Sequence, residues 1–412
     1  MPPATQRLRA AVVGTGGIVT GSHLPALREN ATHIELVAAV DVDKERLEAF
    51  RRAAAETTGG GTGWNVAGYT GLDEMLAEQR PDLVLIGTPP SLHREQTVAA
   101  LRAGAWVLCE KPLCLSLAEY DEIAAAEGTG AQGPYAAVVF QHRYGSGAVH
   151  ARELLAGKLG APLVAHCQTT WYRNADYYAV PWRGKWATEG GGPSMGHGIH
   201  QMDLLLHLLG DWSEVRGMAG RLVHAVESED VSTALVRFEN GAMATVVNSV
   251  LSPDEVSRIR IDCADATVEL THLYRHSNDD WVYTPAPHAA ADEARTRAWS
   301  TPAADLPSSH AAQLAGLIAA VRDGKRPPGG GQDARRTLEF IAAIYKSAFT
   351  GRPVHAGEIA PGDPYYRAMH GEHPDWAPGP ASETPGGGTA KPGETIGDTT
   401  GDTTSGTLKE TR

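Results

Sequence analysis

Short apolar runs alternate with amphipathic stretches of helical length from Leu8 to about Tyr144, as in a parallel sheet covered on both faces by helices. The pattern predicts strands over Arg9–Val13, Ile34–Val40, Leu83–Gly87, Trp106–Cys109 and Ala136–Phe140. Between them it predicts helices at about His23–Glu29, Lys44–Glu56, Leu72–Glu78, His93–Ala103 and Leu117–Glu127. Strands and helices in strict alternation make a doubly wound βαβ domain.

From about Gly147 the texture changes. A helix (Ala148–Leu155) and a strand (Leu163–Thr170) lead into a glycine-rich stretch and a helix ending at Leu209. Val231–Phe238 and Ala242–Ser249 then read as a hairpin, because Asn240-Gly241 favours a tight turn. Further strands at Ser257–Cys263 and Thr267–Thr271 extend an antiparallel or mixed sheet, and helices at about Ala311–Arg322 and Ala334–Phe349 close the region. The domains expected are therefore 1–145, 146–360 and, beyond Trp376, a Pro-, Gly- and Thr-rich tail over 377–412. The tail has too little to bury to offset its ordering entropy, and Gly59–Gly63 reads as a flexible surface loop.

Charge and composition remove several function classes. A net charge of -13 with no basic stripe argues against nucleic-acid binding. No apolar run reaches the roughly 18 residues of a membrane span, and the first ten residues lack the apolar core of a signal peptide, so a cytoplasmic protein is expected. The four cysteines, Cys109, Cys114, Cys167 and Cys263, form no CxxC pair and suggest no disulfide framework.

The first chemical signal lies between Ala10 and Leu27. A β-branched run meets Gly14-Thr15-Gly16-Gly17 and then a helical segment starting at Ile18, the order that a pyrophosphate-binding turn needs. Val19 stands where the usual third glycine would be. Asp41 ends the second strand 25 residues after Gly16, where a carboxylate can accept the ribose hydroxyls of NAD and repel a 2′-phosphate. NAD is thus expected ahead of NADP, with Lys44 and Arg46 near enough to leave room for the latter. Thr88, Pro89 and His93 follow the third predicted strand, and Glu110 and Lys111 the fourth, all at the sheet edge where ligands of this fold class bind. Pro112 allows a cis peptide after Lys111.

The second signal is GGGPSMGHGIHQMDLLLHLLG, Gly190–Gly210, which carries His197, His200 and Asp203. An aromatic and cationic loop precedes it, running through Tyr172, Arg173, Tyr177, Tyr178, Trp182, Arg183 and Lys185; its aromatics suit a sugar-sized ligand, and Arg183 or Lys185 would suit an acidic one. With the glycine turn, TPPSLH (Thr88–His93), CEKPL (Cys109–Leu113) and GGG…GIHQMD in this order, the chain resembles the Gfo/Idh/MocA family of oxidoreductases over roughly residues 8 to 360. The resemblance implies an N-terminal Rossmann domain and a C-terminal α/β domain with a large, mostly antiparallel open sheet used for oligomer contacts, hence a homodimer or homotetramer. It implies hydride transfer between NAD(P) and a hydroxyl or keto group of a sugar, cyclitol or related polyol. It further implies that Lys111 touches the reacting oxygen and that His200 moves a proton.

One departure stands out. The family commonly has a carboxylate four residues before the histidine, and here that residue is Gly196. His197 adjoins the gap, and Asp203 is expected to orient His200 or bind a substrate hydroxyl. Two alternatives follow: a non-catalytic NAD-binding regulator, and a redox-neutral epimerase or eliminase that regenerates its NAD. A metal-dependent reading would use His200, Asp203 and His207, which share one helix face; no metal is expected. Gln141, His142 and Arg143 are candidates to line the same cleft.

Overall fold

Six strands form the first sheet: β1 (Leu8–Val13), β2 (Ile34–Val40), β3 (Ala67–Tyr69), β4 (Leu83–Ile86), β5 (Trp106–Cys109) and β6 (Ala136–Val138). All pair in parallel, in the order β3-β2-β1-β4-β5-β6. Every residue of β4 and β5 is buried, which explains their unbroken apolar sequences: helices cover both faces of the sheet. The strand order reverses at β1 and β4, so the loops leaving their carboxyl ends diverge and open a crevice. The computed structural model describes residues 6–57, 63–128 and 132–373. The predicted tail 377–412 and residues 59–62 of the predicted glycine loop lie outside the described residues.

The second sheet has eight strands: β7 (Pro162–Tyr172), β8 (Trp212–Gly220), β9 (Val231–Phe238), β10 (Met243–Ser249), β11 (Leu251–Cys263), β12 (Ala266–His272), β13 (Trp281–Pro285) and β14 (Val354–His355). Their order is β13-β12-β11-β7-β10-β9-β8-β14, and only the β7–β10 pair is parallel. In β9 the residues Ser232, Ala234, Val236 and Phe238 are buried while Thr233, Leu235 and Arg237 are exposed, so one face of the sheet is packed and the other open. Helices Ile199–Leu209 and Gln332–Thr350 pack on the sheet.

Several elements escaped the sequence pattern. β3 has three residues, Ala-Gly-Tyr, and no apolar run to announce it. β8 mixes Gly217 and Gly220 with Glu214 and Arg216, and β14 has two residues. The helix Glu293–Trp299 buries only Trp299 and so lacks an apolar stripe. β6 stops at Val138, two residues before the predicted end, because the chain turns there into the short helix Gln141–Tyr144.

Candidate functional site

The glycine turn after β1 has the geometry that its sequence requires. Gly14 has φ +82°, and a Cβ there would lie 2.9 Å from the carbonyl carbon of Gly87 at the end of β4. Only glycine satisfies both the backbone and the close approach. At Gly16 and Gly17, by contrast, an added Cβ would meet nothing within 4 Å, so these residues border open space. The chain is helical from residue 17 through Glu29, beginning with the wide turn Val19–His23. Asp41 braces the turn: its Oδ2 accepts hydrogen bonds from the amide and hydroxyl of Thr15, both 2.8 Å, and its Oδ1 accepts from the Asp43 amide at 2.9 Å. Arg46 Nε lies 4.0 Å from Asp41 Oδ2.

One cavity of about 540 Å³ joins this turn to the second signal of the sequence. Gly16, Gly17 and Ile18 line one end, Thr88, Pro89, His93, Glu110 and Lys111 the middle, and Trp182, Arg183, His197 and His200 the other. Lys111 follows β5, and its Nζ donates a 2.7 Å hydrogen bond to the carbonyl of Gly196. The lysine thereby ties the first sheet to the stretch that carries the histidines. Burial pulls the Lys111 pKa down, and the neighbouring carboxylates of Glu110 and Glu189 oppose that pull. Glu110 is itself buried, yet His23 and His310, at 2.8 and 3.4 Å from its Oε1, hold its carboxyl well below the usual range. His93 spans the loops, with Nδ1 2.7 Å from the Pro112 carbonyl and Nε2 2.8 Å from that of Thr88.

His200 sits in the first turn of helix Ile199–Leu209 and is 4% exposed. Neither of its ring nitrogens has a hydrogen-bond partner among the described residues. Burial, and then the charge of Lys111, push its pKa well below the usual histidine value, which leaves a neutral imidazole with lone-pair capacity facing the cavity. His197 is shifted the same way for the same reasons, and its Nε2 lies 3.3 Å from the Tyr177 hydroxyl.

Two family patterns match the chain. One, described as the oxidoreductase family NAD-binding Rossmann fold, spans residues 8–131, and the other, the GFO/IDH/MocA C-terminal domain, spans residues 148–269. The chain belongs to the Gfo/Idh/MocA family.

Among Gfo/Idh/MocA relatives, the chain is 29% identical to D-apiose dehydrogenase of Paraburkholderia graminis over 85% of this chain and 90% of that protein. It is 26% identical to D-glucoside 3-dehydrogenase of Escherichia coli over 84% and 97% of the two chains. The crystal structure of the WlbA dehydrogenase from Chromobacterium violaceum, in complex with NADH and UDP-GlcNAcA, superposes with a TM-score of 0.74 at 26% identity and covers 87% of this chain and 99% of that one. The NAD-binding character of the first sheet agrees with the open cradle over Gly16 and Gly17 and with the amides at the start of the following helix. No helix among the described residues is long and apolar enough to cross a membrane.

Within this Gfo/Idh/MocA site, several expected residues are placed differently from the sequence reading. Asp203 does not reach the cavity: it is fully buried and accepts hydrogen bonds from Arg143 at 2.5 and 2.6 Å and from the Thr337 hydroxyl at 2.9 Å. It holds the helix rather than a ligand. Tyr172 is 51% exposed and lies outside the cavity lining; its neighbours Trp171 and Arg173 line it instead. Gly14 and Asp41 stand behind the turn rather than on its cavity side. Gln141, His142 and Arg143 are buried beneath the cleft, and His142 Nε2 lies 2.9 Å from the Tyr274 carbonyl. The metal set is not assembled, since Asp203 is committed to Arg143, and His207 lies beside Arg152, with both ring nitrogens 3.2 Å from its Nη1.

The sequence reading missed Trp171, Glu189 and Tyr274 as lining residues, and it weighed Arg46, Arg173 and Tyr177 without committing to them as site residues. Alternation along β7 could have chosen Trp171 over Tyr172, because side chains one residue apart on a strand face opposite sides.

Proposed function

We propose that this Gfo/Idh/MocA oxidoreductase interconverts a secondary hydroxyl and a keto group on a sugar, cyclitol or related polyol, with NAD as its cofactor. The observation that carries the reading is that Lys111, after β5, and His200, on helix Ile199–Leu209, line the same cavity as the glycine turn. Gly16, Gly17 and Ile18 would receive the pyrophosphate, with Asp41 and Arg46 at the adenosine end. When bound, NAD supplies the hydride acceptor.

The remaining chemistry belongs to side chains. Lys111 places its ammonium where negative charge grows on the substrate oxygen, and a cation in a dry site is worth more there than in water. His200, neutral and without a partner among the described residues, takes the hydroxyl proton on a ring nitrogen and returns it in the reverse direction. Trp171, Trp182 and Tyr177 offer flat apolar faces to a sugar ring, and the guanidinium of Arg183 stacks 3.8 Å above the Tyr177 ring centre. The Arg183 and Arg173 guanidinium groups favour substrates that carry a carboxylate or phosphate.

The open face of the second sheet exposes Val164, Leu235 and Met243, each more than two-fifths accessible, which suits contact with a second copy of the chain in a homodimer or homotetramer. Light scattering should then give a small even multiple of the chain mass, and replacing Leu235 by Asp should lower it.

The test is calorimetry with NAD and NADP, followed by absorbance of reduced nicotinamide over a panel of cyclitols, aldoses, sugar acids and their keto forms. Turnover that falls at least about 100-fold in Lys111→Ala and in His200→Ala, with NAD binding kept, is expected. Binding without turnover on any panel member would favour a regulator or a redox-neutral enzyme. Absence of binding to either nucleotide would overturn the reading.

A further inference from the structure

Gly196 is not required by the fold. Its φ lies outside the left-handed region, and an added Cβ would meet a single neighbour within 4 Å, the Oε1 of Glu189 at an ordinary contact distance of 3.6 Å. A side chain at position 196 would therefore point into the space that the Glu189 carboxylate already fills. Glu189 closes the short helix Trp186–Glu189, whose Trp186 packs edge-on against the Tyr345 ring, and the chain turns sharply at Gly190 with φ +78°. The carboxylate is held from behind, because Oε2 accepts a 2.7 Å hydrogen bond from the Gly184 amide. Oε1 receives no hydrogen bond among the described residues; its nearest cation is Arg183 Nη1, 3.7 Å away. Glu189 is 6% exposed, and it lines the cavity together with Lys111, Gly196 and His200.

We infer that Glu189 is the substrate-contacting carboxylate of this cleft, delivered from the preceding helix into the volume that a side chain at position 196 would occupy. The inference rests on the oxidoreductase reading above and deepens it. Oε1 accepts a hydrogen bond from a substrate hydroxyl, and its charge balances the Lys111 ammonium, whose Nζ is bonded to the carbonyl of the same Gly196. The charged groups facing Lys111 are Glu110 and Glu189 on the acidic side and Arg183 and Arg173 on the basic side, so loss of Glu189 tips the balance towards repulsion. The sequence concealed this residue because position 189 lies outside the four-residue spacing in which the carboxylate is usually sought.

The experiment compares wild type, Glu189→Gln, Gly196→Asp and the double variant Glu189→Gln/Gly196→Asp. On whichever panel substrate the wild type turns over, Glu189→Gln should lose about 10- to 100-fold in kcat/KM with NAD affinity unchanged, the loss expected for one charge-assisted hydrogen bond. The double variant should regain most of that loss, since its new carboxylate enters the same volume. Gly196→Asp alone crowds two carboxylates together and should move the pH profile upward. A second readout needs no substrate: the rate at which acetic anhydride modifies Lys111, followed by peptide mass spectrometry against pH. Its midpoint should fall in Glu189→Gln and return in the double variant. Full activity in Glu189→Gln would overturn the inference. So would a loss that Gly196→Asp does not restore, accompanied by an unmoved Lys111 midpoint, because Glu189 would then only support the Gly184 loop. If the wild type turns over nothing, the oxidoreductase reading falls, and the Lys111 titration alone decides whether Glu189 faces the lysine.

Discussion

Asp41 shows how one side chain can set the shape of a candidate ligand site from behind. Its carboxylate accepts three hydrogen bonds, two from Thr15 and one from the Asp43 amide, and it therefore fixes the shape of the glycine turn before any nucleotide arrives. The same negative charge would repel a 2′-phosphate, while Arg46, 4.0 Å away and half exposed, would attract one. Asp41→Asn keeps one acceptor oxygen and removes the charge. NAD affinity measured by calorimetry should fall about tenfold, and NADP affinity should fall less or rise, so that the preference narrows. An equal fall for both nucleotides would mean that Asp41 acts only on the loop. Residues of this kind were legible because their signal is local: a glycine turn after one strand, a carboxylate ending the next, a lysine after β5. Trp171 and Glu189 were not, because what makes them line the cavity is the meeting of β7 and the Trp186–Glu189 helix with Lys111, which no local spacing records.

The element that carries His200 is held by an ion pair far from solvent. Arg143, from the short helix after β6, bonds Asp203 on helix Ile199–Leu209 and reaches Asp333 on helix Gln332–Thr350 at 2.8 Å. Thr337 adds a further bond to Asp203, so three elements meet at one carboxylate. Removing that carboxylate leaves the guanidinium, whose side chain is 2% exposed, with the partly exposed Asp333 as its one remaining ion-pair partner among the described residues. Asp203→Ala should therefore cost about 3–5 kcal/mol in urea unfolding and lower kcat by displacing His200. The paired apolar replacement Arg143→Met/Asp203→Leu should recover most of the stability, because it leaves no buried charge alone. If Asp203→Ala unfolds like the wild type, the ion pair does not lock the helix. At this scale the sequence read long apolar strands and amphipathic helices well, β2 and β5 to the residue, and missed β3, β8, β13 and β14. β3 and β14 are short, β8 is polar and interrupted by glycine, and β13 ends in proline; each pairs with a neighbouring strand, which is tertiary information.

Across the whole molecule the unusual feature is the number of histidines withdrawn from water. His142, His272 and His276 pack behind His200, with ring centres of His142 5.1 Å from His200, 5.0 Å from His272 and 5.5 Å from His276. Burial is the first cause of their low pKa values; repulsion by neighbouring histidines comes next for His142 and His272, and the Lys111 charge for His197 and His200: His272 is lowered to about 3, His276 to about 4, and His142, His197 and His200 lie well below the usual value. In the unfolded chain each would titrate near 6.5. As the pH falls below that value, the unfolded chain gains protons that the folded chain refuses, so stability is full above it and drains away down to the folded values. Each histidine contributes about 1.4 kcal/mol per pH unit within its window. Burial raises the carboxyls of Glu119, Glu189, Asp203 and Glu229, and these work in the opposite sense, taking up protons in the folded state first. His93, His207, His310 and His370 are lowered as well, so nine histidines stand against four carboxyls and leave a net loss on acidification. The urea midpoint should accordingly fall steeply between about pH 7 and about pH 5, and His276→Asn should flatten the slope by removing one group from the count. A midpoint that stays level over that interval would mean that water enters the cluster and that the histidines protonate in the folded protein as they do in the unfolded chain, in which case His200 would be lost as a proton acceptor only as the pH falls below about 6.5.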